Sequence, residues 1–258
     1  MRKRIVFFWL CISVLFITCA YAQIWQENRS THFIVYYKNA PEYFIRQVAD
    51  RAEIYYNNIA DDLGFRRYDF WTWDNRAQIY IYDNSADYQA STGLPGWSAG
   101  AVEPKGKTIQ AFPYAQGFFE TTLPHELGHI IFREFVGFNN RAIPIWFEEG
   151  VASYQEKLKY ARLSRMLKKA VENKTFIPLS QLANIDIYSS KDNNLVELFY
   201  AEAFSAVDYL INKFGRDKFV SFCQNLRDYK NFVQALSSVY PFDSVEELDK
   251  DWQRYLSE

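Results

Sequence analysis

Cysteine and histidine are both scarce in this chain of 258 residues, with three of each, and where they fall excludes much. Cys11 and Cys19 lie in a stretch that reads as a signal peptide. Arg2, Lys3 and Arg4 are followed by an apolar run over residues 5–17, too short to span a bilayer comfortably, and then by Ala20-Tyr21-Ala22 before Gln23. Cleavage is expected after Ala22. Lipid modification at Cys19 is disfavoured, because Phe16-Ile17-Thr18 puts no small residue directly before the cysteine. The mature chain then keeps Cys223 alone, so it has no disulfide within the chain and its core must hold the fold. Phe219, Val220 and Phe222 surround Cys223 in sequence and mark it as a buried small hydrophobe, not a nucleophile. The expected location is secreted, periplasmic or in the cell envelope, with no membrane span left after cleavage.

Positive charge is also in short supply. Losing the signal removes three basic residues and no acidic ones, so a formal charge of -2 becomes -5. A mildly acidic chain makes a poor partner for nucleic acid, which needs a basic face. The sequence has no Gly-rich phosphate loop, no internal repeat and no low-complexity linker. Aromatics, by contrast, are abundant. Trp71-Thr72-Trp73 and the Tyr-rich segments would suit a carbohydrate platform, but aromatic residues favour strands and cores in any case.

The order of patterns predicts an α+β fold. Residues 32–37 and 77–82 are rich in β-formers and read as strands. Between them, Pro41 opens a helix whose Phe44, Val48, Tyr55 and Ile59 recur at helical spacing as far as Gly64. A turn-rich passage from Gly93 to Gly100, with Pro95 inside it, leads to a hairpin of residues 100–103 and 107–112 around Lys105-Gly106. After Gly117 only helices are expected: 123–136, one from Pro144 carrying Trp146, Val151, Tyr154 and Leu158, then 160–173, 195–214, further helices in 218–240, and 245–256 with a stripe of Val245, Leu248, Trp252 and Leu256. The expected organisation is a signal peptide at 1–22, a small α/β lobe with a twisted sheet at 23–117, and a mostly helical lobe at 118–258, the last two making one catalytic domain.

The chemistry concentrates in His125-Glu126-Leu127-Gly128-His129. Residues four apart on a helix lie one above the other, so both imidazoles face one point, as two nitrogen ligands of a tetrahedral zinc ion would. Glu126 is offset by about a third of a turn, where it can reach a water at the metal without ligating. The rest of that helix is apolar (Leu127, Ile130, Ile131, Phe132), and two of the three histidines of the mature chain sit in it. His32 is the third and reads as a structural residue of a strand. A catalytic zinc takes three protein ligands and leaves one position for water, and His₂Glu is a standard set. A second helix, carrying Trp146-Phe147-Glu148-Glu149-Gly150, could supply the carboxylate; spacing alone leaves Glu148 and Glu149 both open.

The motif H-E-L-G-H followed some twenty residues on by W-F-E-E-G-V-A-S-Y resembles the gluzincin metallopeptidases, most closely the peptidase MA-like families and more distantly the M1 aminopeptidases. The resemblance implies a zincin-like active-site helix between the two lobes, one Zn²⁺ per chain, and a peptide or protein substrate. In those families the Glu directly before the Gly ligates zinc, which implies His125, His129 and Glu149 as ligands and Glu126 as the catalytic base; Glu148 is expected to be an ordinary solvated helix residue. The segment Phe199-Tyr200-Ala201-Glu202-Ala203-Phe204 is similar to a family helix whose tyrosine stabilises the oxyanion, which implies that role for Tyr200.

Two departures stand out. Ser153 occupies the place, four residues after Glu149, where thermolysin-like relatives carry an Asp that orients a ligand histidine, so that support must come from elsewhere. Gly100-Ala101-Val102-Glu103-Pro104 only partly echoes the aminopeptidase motif G-A-M-E-N, and reads instead as an edge strand against which an extended peptide could lie. The two rival readings are an aminopeptidase, with Glu103 gripping a free amino group, and a zinc-stabilised envelope scaffold without turnover.

Overall fold

The structure is a computed structural model and describes residues 24–65, 75–93, 100–103, 106–113, 117–157 and 160–257. The expected signal peptide, Trp71-Thr72-Trp73, Pro95, Lys105 and Leu158 lie outside these residues. Among the described residues no helix is long and apolar enough to cross a membrane.

Five short strands form one mixed sheet: β1 (Gln26–Arg29), β2 (Phe33–Tyr37), β3 (Ala77–Ile81), β4 (Gly100–Glu103) and β5 (Thr108–Ala111), in the order β1-β2-β3-β5-β4. β2, β3 and β5 run parallel, while β1 and β4 close the two edges antiparallel. Side chains alternate across a strand. In register, Phe33 meets Ala77, Val35 meets Ile79, and Ile79 meets Ile109, all fully buried on one face. The other face carries half-buried polar and aromatic residues, with Tyr36 stacked on its register partner Tyr80 at a centroid distance of 4.8 Å. The expected hairpin forms, and it puts residues 100–103 on the sheet's edge.

The apolar face is covered by α1 (Glu42–Asp62), whose Phe44, Val48, Ala52 and Ile59 form the buried stripe. Tyr55 stands at its margin and donates from its hydroxyl to the carbonyl of Phe119 at 2.6 Å. His32, just ahead of β2, is structural. Its Nδ1 lies 2.7 Å from Glu53 Oε2, its N–H donates to Glu53 Oε1, and its ring stacks on Tyr56 at 3.9 Å, which ties the sheet to α1. Between β3 and β4 lies α2 (Ser85–Thr92). Asn84 caps it through the amides of Ala86 and Asp87, and Gly93 ends it in the left-handed region.

The remainder is helical, so the architecture is α+β. A π-helical turn (Phe118–Thr122) runs directly into α3 (Leu123–Val136), with Pro124 in the first turn, where its missing N–H breaks no helical bond. There follow α4 (Ile145–Ser153), α5 (Tyr160–Asn173), α6 (Leu179–Leu182), α7 (Asn193–Phe214), α8 (Arg216–Tyr229), α9 (Phe232–Val239) and α10 (Val245–Ser257). Residues 218–240 divide because Lys230 adopts a left-handed φ of 51° and Asn231 then caps α9. α4 stops at Ser153, so the expected continuation through Tyr154 to Leu158 does not form: residues 154 and 155 are a turn.

Two glycines set how closely the helices approach. At Gly128 of α3 a Cβ would lie 3.0 Å from the Cα of Ala152 in α4; at Gly150 of α4 it would lie 2.3 Å from the carbonyl oxygen of Ala203 in α7. A Cβ at 2.3 Å from backbone is not tolerated and one at 3.0 Å is tight, so a larger residue at Gly150 would force α4 and α7 apart and one at Gly128 would crowd α3 against α4. These three helices carry the candidate site.

α7 also holds an unusual carboxyl. Glu202 is fully buried and accepts from the amide of Ile177 at 3.1 Å. Burial raises its pKa from an ordinary 4.5 to about 8, with the Ile177 bond opposing and the charge of Asp249 adding. The folded protein therefore holds this proton where the unfolded chain has released it. The resulting stabilisation is complete below about pH 4.5 and is lost as the pH rises towards about 8. Glu202→Gln keeps an acceptor for Ile177 and cannot ionise. Thermal melting from pH 5 to 9 should show the variant gaining on wild type through that window; parallel curves would contradict the assignment.

Candidate metal centre

Helical spacing puts His125 and His129 on one side of α3, and both point at α4. Their Nε2 atoms are 3.1 Å apart. Glu149 Oε2 lies 3.4 Å from His125 Nε2 and 3.7 Å from His129 Nε2. That oxygen is buried and makes no hydrogen bond among the described residues. Ligand bonds of 2.0–2.1 Å in a tetrahedron separate neighbouring ligand atoms by about 3.3 Å. The three atoms thus form a triangle of the right size for one face of a zinc tetrahedron, and in the chemistry of their donors they could hold a metal ion.

The carboxylates around this triangle explain how two imidazoles are kept there. Glu156 Oε1 lies 2.8 Å from His125 Nδ1, on the side of the ring away from Glu149. Glu156 follows the end of α4 in a turn whose amide bonds to the Ser153 carbonyl, and it is buried. It supplies the orienting carboxylate that Ser153 cannot. Glu148 stands on the corresponding side of His129, with Oε1 3.7 Å from Nδ1, an ion-pair distance longer than a hydrogen bond. The expectation of a solvated Glu148 is therefore corrected. Glu148 is mostly buried and forms a two-point ion pair with Arg133, one bond of which, from Nε, is 2.6 Å, while Arg133 also donates to the Asn140 carbonyl. Successive residues on a helix point about 100° apart, so Glu149 can turn to the metal triangle while Glu148 turns to Arg133. The signal for this was present in sequence: His125, His129 and Arg133 recur every four residues along one stripe of α3.

Burial opposes every charge here, and partners outweigh it. For His125, burial alone would lower the pKa, but the adjoining carboxylates of Glu149 and Glu156 lift it to about 10. Burial would raise Glu149, yet the charges of His129 and His125 and the hydrogen bond from Tyr188 hold it at about 2. Glu148 is likewise held at about 2 by His129 and Arg133 against its burial. Glu126 differs: burial raises its pKa, and the neighbouring imidazoles only partly offset this.

Two tyrosines face the group. Tyr200 of α7 has its ring 6.4 Å from that of His125, and burial with the charges of Glu149, Glu126 and Glu156 keeps its hydroxyl protonated. Tyr188, between α6 and α7, donates to Glu149 Oε1 at 2.5 Å. Sequence reasoning missed Tyr188, which lies in a segment without periodicity. Glu103, invoked by the aminopeptidase reading, is exposed at the end of β4.

Residues 72–258 match the sequence model of the Peptidase MA superfamily. The chain belongs to the peptidase MA superfamily. Membership identifies a metallopeptidase, with peptide or protein as its substrate, and the match takes in α3, α4 and α7 together. No curated protein matches the chain. In metal sites generally, groups that orient ligand histidines govern metal affinity by about 10–100-fold. Glu156→Gln should accordingly weaken metal binding by about that factor, read by competition with a chromogenic chelator. Unchanged affinity would mean that Glu156 does not support a ligand.

Proposed function

We propose that the protein is an exported zinc metallopeptidase that hydrolyses peptide bonds, with His125, His129 and Glu149 holding the metal and Glu126 moving the proton. The observation that carries this reading is the triangle of Nε2, Nε2 and Oε2 atoms, 3.1, 3.4 and 3.7 Å on its sides, with its carboxylate oxygen otherwise unbonded. The N-terminal basic, apolar and small-residue pattern supports export. Residues 23–117 and 118–258 act as one catalytic unit on this reading.

Zinc bound there supplies Lewis acidity, polarising a carbonyl and acidifying water to a pKa of about 7. Glu126, whose burial raises its proton affinity, takes one proton as water adds to the carbonyl carbon. It returns that proton to the departing amide nitrogen as the C–N bond breaks, so the carboxyl group ends as it began. Tyr200 keeps its hydroxyl proton and donates a hydrogen bond to the carbonyl oxygen as negative charge develops on it. β4 is the last strand in the sheet order, an edge position that suits an extended peptide adding as a further strand. A cavity of ≈ 610 Å³ walled by Glu148, Arg133 and Tyr188 has room for a substrate side chain.

Glu126→Gln tests the reading. The change is close to isosteric and removes no ligand, so zinc content and melting temperature should stay at wild-type values while peptide hydrolysis drops on the order of 10²–10⁴-fold. A quenched peptide library with both proteins at verified zinc occupancy makes the comparison. Full activity in Glu126→Gln would refute the mechanism, and zinc-loaded wild type that binds peptides without cutting them would favour a scaffold.

A further inference from the structure

The two carboxyl oxygens of Glu149 have different surroundings. Oε2 faces the paired imidazole nitrogens and has no hydrogen bond among the described residues. Oε1 accepts the hydroxyl of Tyr188 at 2.5 Å. Tyr188 as a residue is 70% exposed, although a tyrosine usually gains stability by burial. Little apolar gain therefore holds this side chain in place; the short, charge-assisted bond from its hydroxyl does.

We propose that Tyr188 is a positioning residue that holds Glu149 Oε1 away from the metal, so that the carboxylate offers one oxygen and not two. The proposal rests on the reading of His125, His129 and Glu149 as ligands. A carboxylate free to swing can bind through both oxygens, which would occupy a position that a catalytic site needs open for water or substrate. Oε1, already engaged by an O–H donor at 2.5 Å, is committed elsewhere. The tether comes from the segment joining α6 to α7, so docking of that surface segment is coupled to the geometry of the buried ligand.

The test uses the full-length protein as wild type, Tyr188→Phe and Tyr200→Phe. Zinc affinity is read by chelator competition, and coordination by the visible absorption of cobalt-substituted protein, which is strong for four-coordinate ions and weaker at higher coordination. Tyr188→Phe should bind zinc about 10–100-fold more weakly and show weaker cobalt absorption, and Tyr200→Phe should match wild type in both. Melting of the metal-free proteins checks the fold: a Tyr188→Phe that melts lower but keeps the wild-type cobalt spectrum would overturn the proposal in favour of a purely structural contact. Unchanged zinc affinity and spectrum in Tyr188→Phe would overturn it too, while leaving the ligand assignment standing. Wild type that takes up neither zinc nor cobalt would instead overturn the ligand assignment itself, and the role of Tyr188 with it.

Discussion

Buried imidazoles paired with buried carboxylates are the interaction on which the rest of this structure depends. Glu126, Glu148, Glu149 and Glu156 stand around His125, His129 and the guanidinium of Arg133. Taking one such group out of water without a partner would cost several kcal/mol. The arrangement is sustained because each outer nitrogen has its own carboxylate, Glu156 for His125 and Glu148 for His129, leaving both inner nitrogens aimed at Glu149 Oε2. In this setting a divalent cation has a physical rationale before any mechanism is considered, since the group carries more acidic than basic side chains. Metal-ligand histidines commonly have such outer partners, which fix the ring and its tautomer.

That constraint reaches outward into the fold. Glu148 and Glu149 come from α4 and Glu156 from the turn after it, the imidazoles and Glu126 from α3, and Tyr200 from α7, so the three helices must pack at very short range. Gly128 and Gly150 make this possible, each at a point where a Cβ would strike the neighbouring helix. The glycines inside H-E-L-G-H and E-E-G are therefore packing requirements of the same geometry that the histidines and glutamate express chemically. α3 is in turn pinned beneath the sheet by α1 and lies against β4, which ties the candidate centre to the edge where an extended chain could add.

Much of this was legible in the sequence, for definite reasons. Helix 123–136 was bounded by Pro124 and Gly137 and carried an unmistakable periodicity, and the strands at β2 and β3 were marked by their β-branched and aromatic residues. β1 and α2 were not foreseen: the first is four residues long and mostly exposed, and the second has only Tyr88 buried, so neither has an apolar pattern to reveal it. The supports of the site were harder still. Glu156 and Tyr188 reach the group from a turn and from an irregular segment, where periodicity predicts nothing and only tertiary contact assigns a role. Glu148 was misjudged because its partner, Arg133, sits fifteen residues away on another helix.

The central claim is that two imidazoles and one carboxylate of this chain enclose a zinc ion. X-ray absorption at the zinc edge of the purified full-length protein examines that claim directly. One zinc per chain, with only nitrogen and oxygen neighbours at about 2.0–2.1 Å and the scattering signature of two imidazoles, is the result expected of His125, His129 and Glu149. A sulfur neighbour at about 2.3 Å, a single imidazole, or no bound zinc would contradict it.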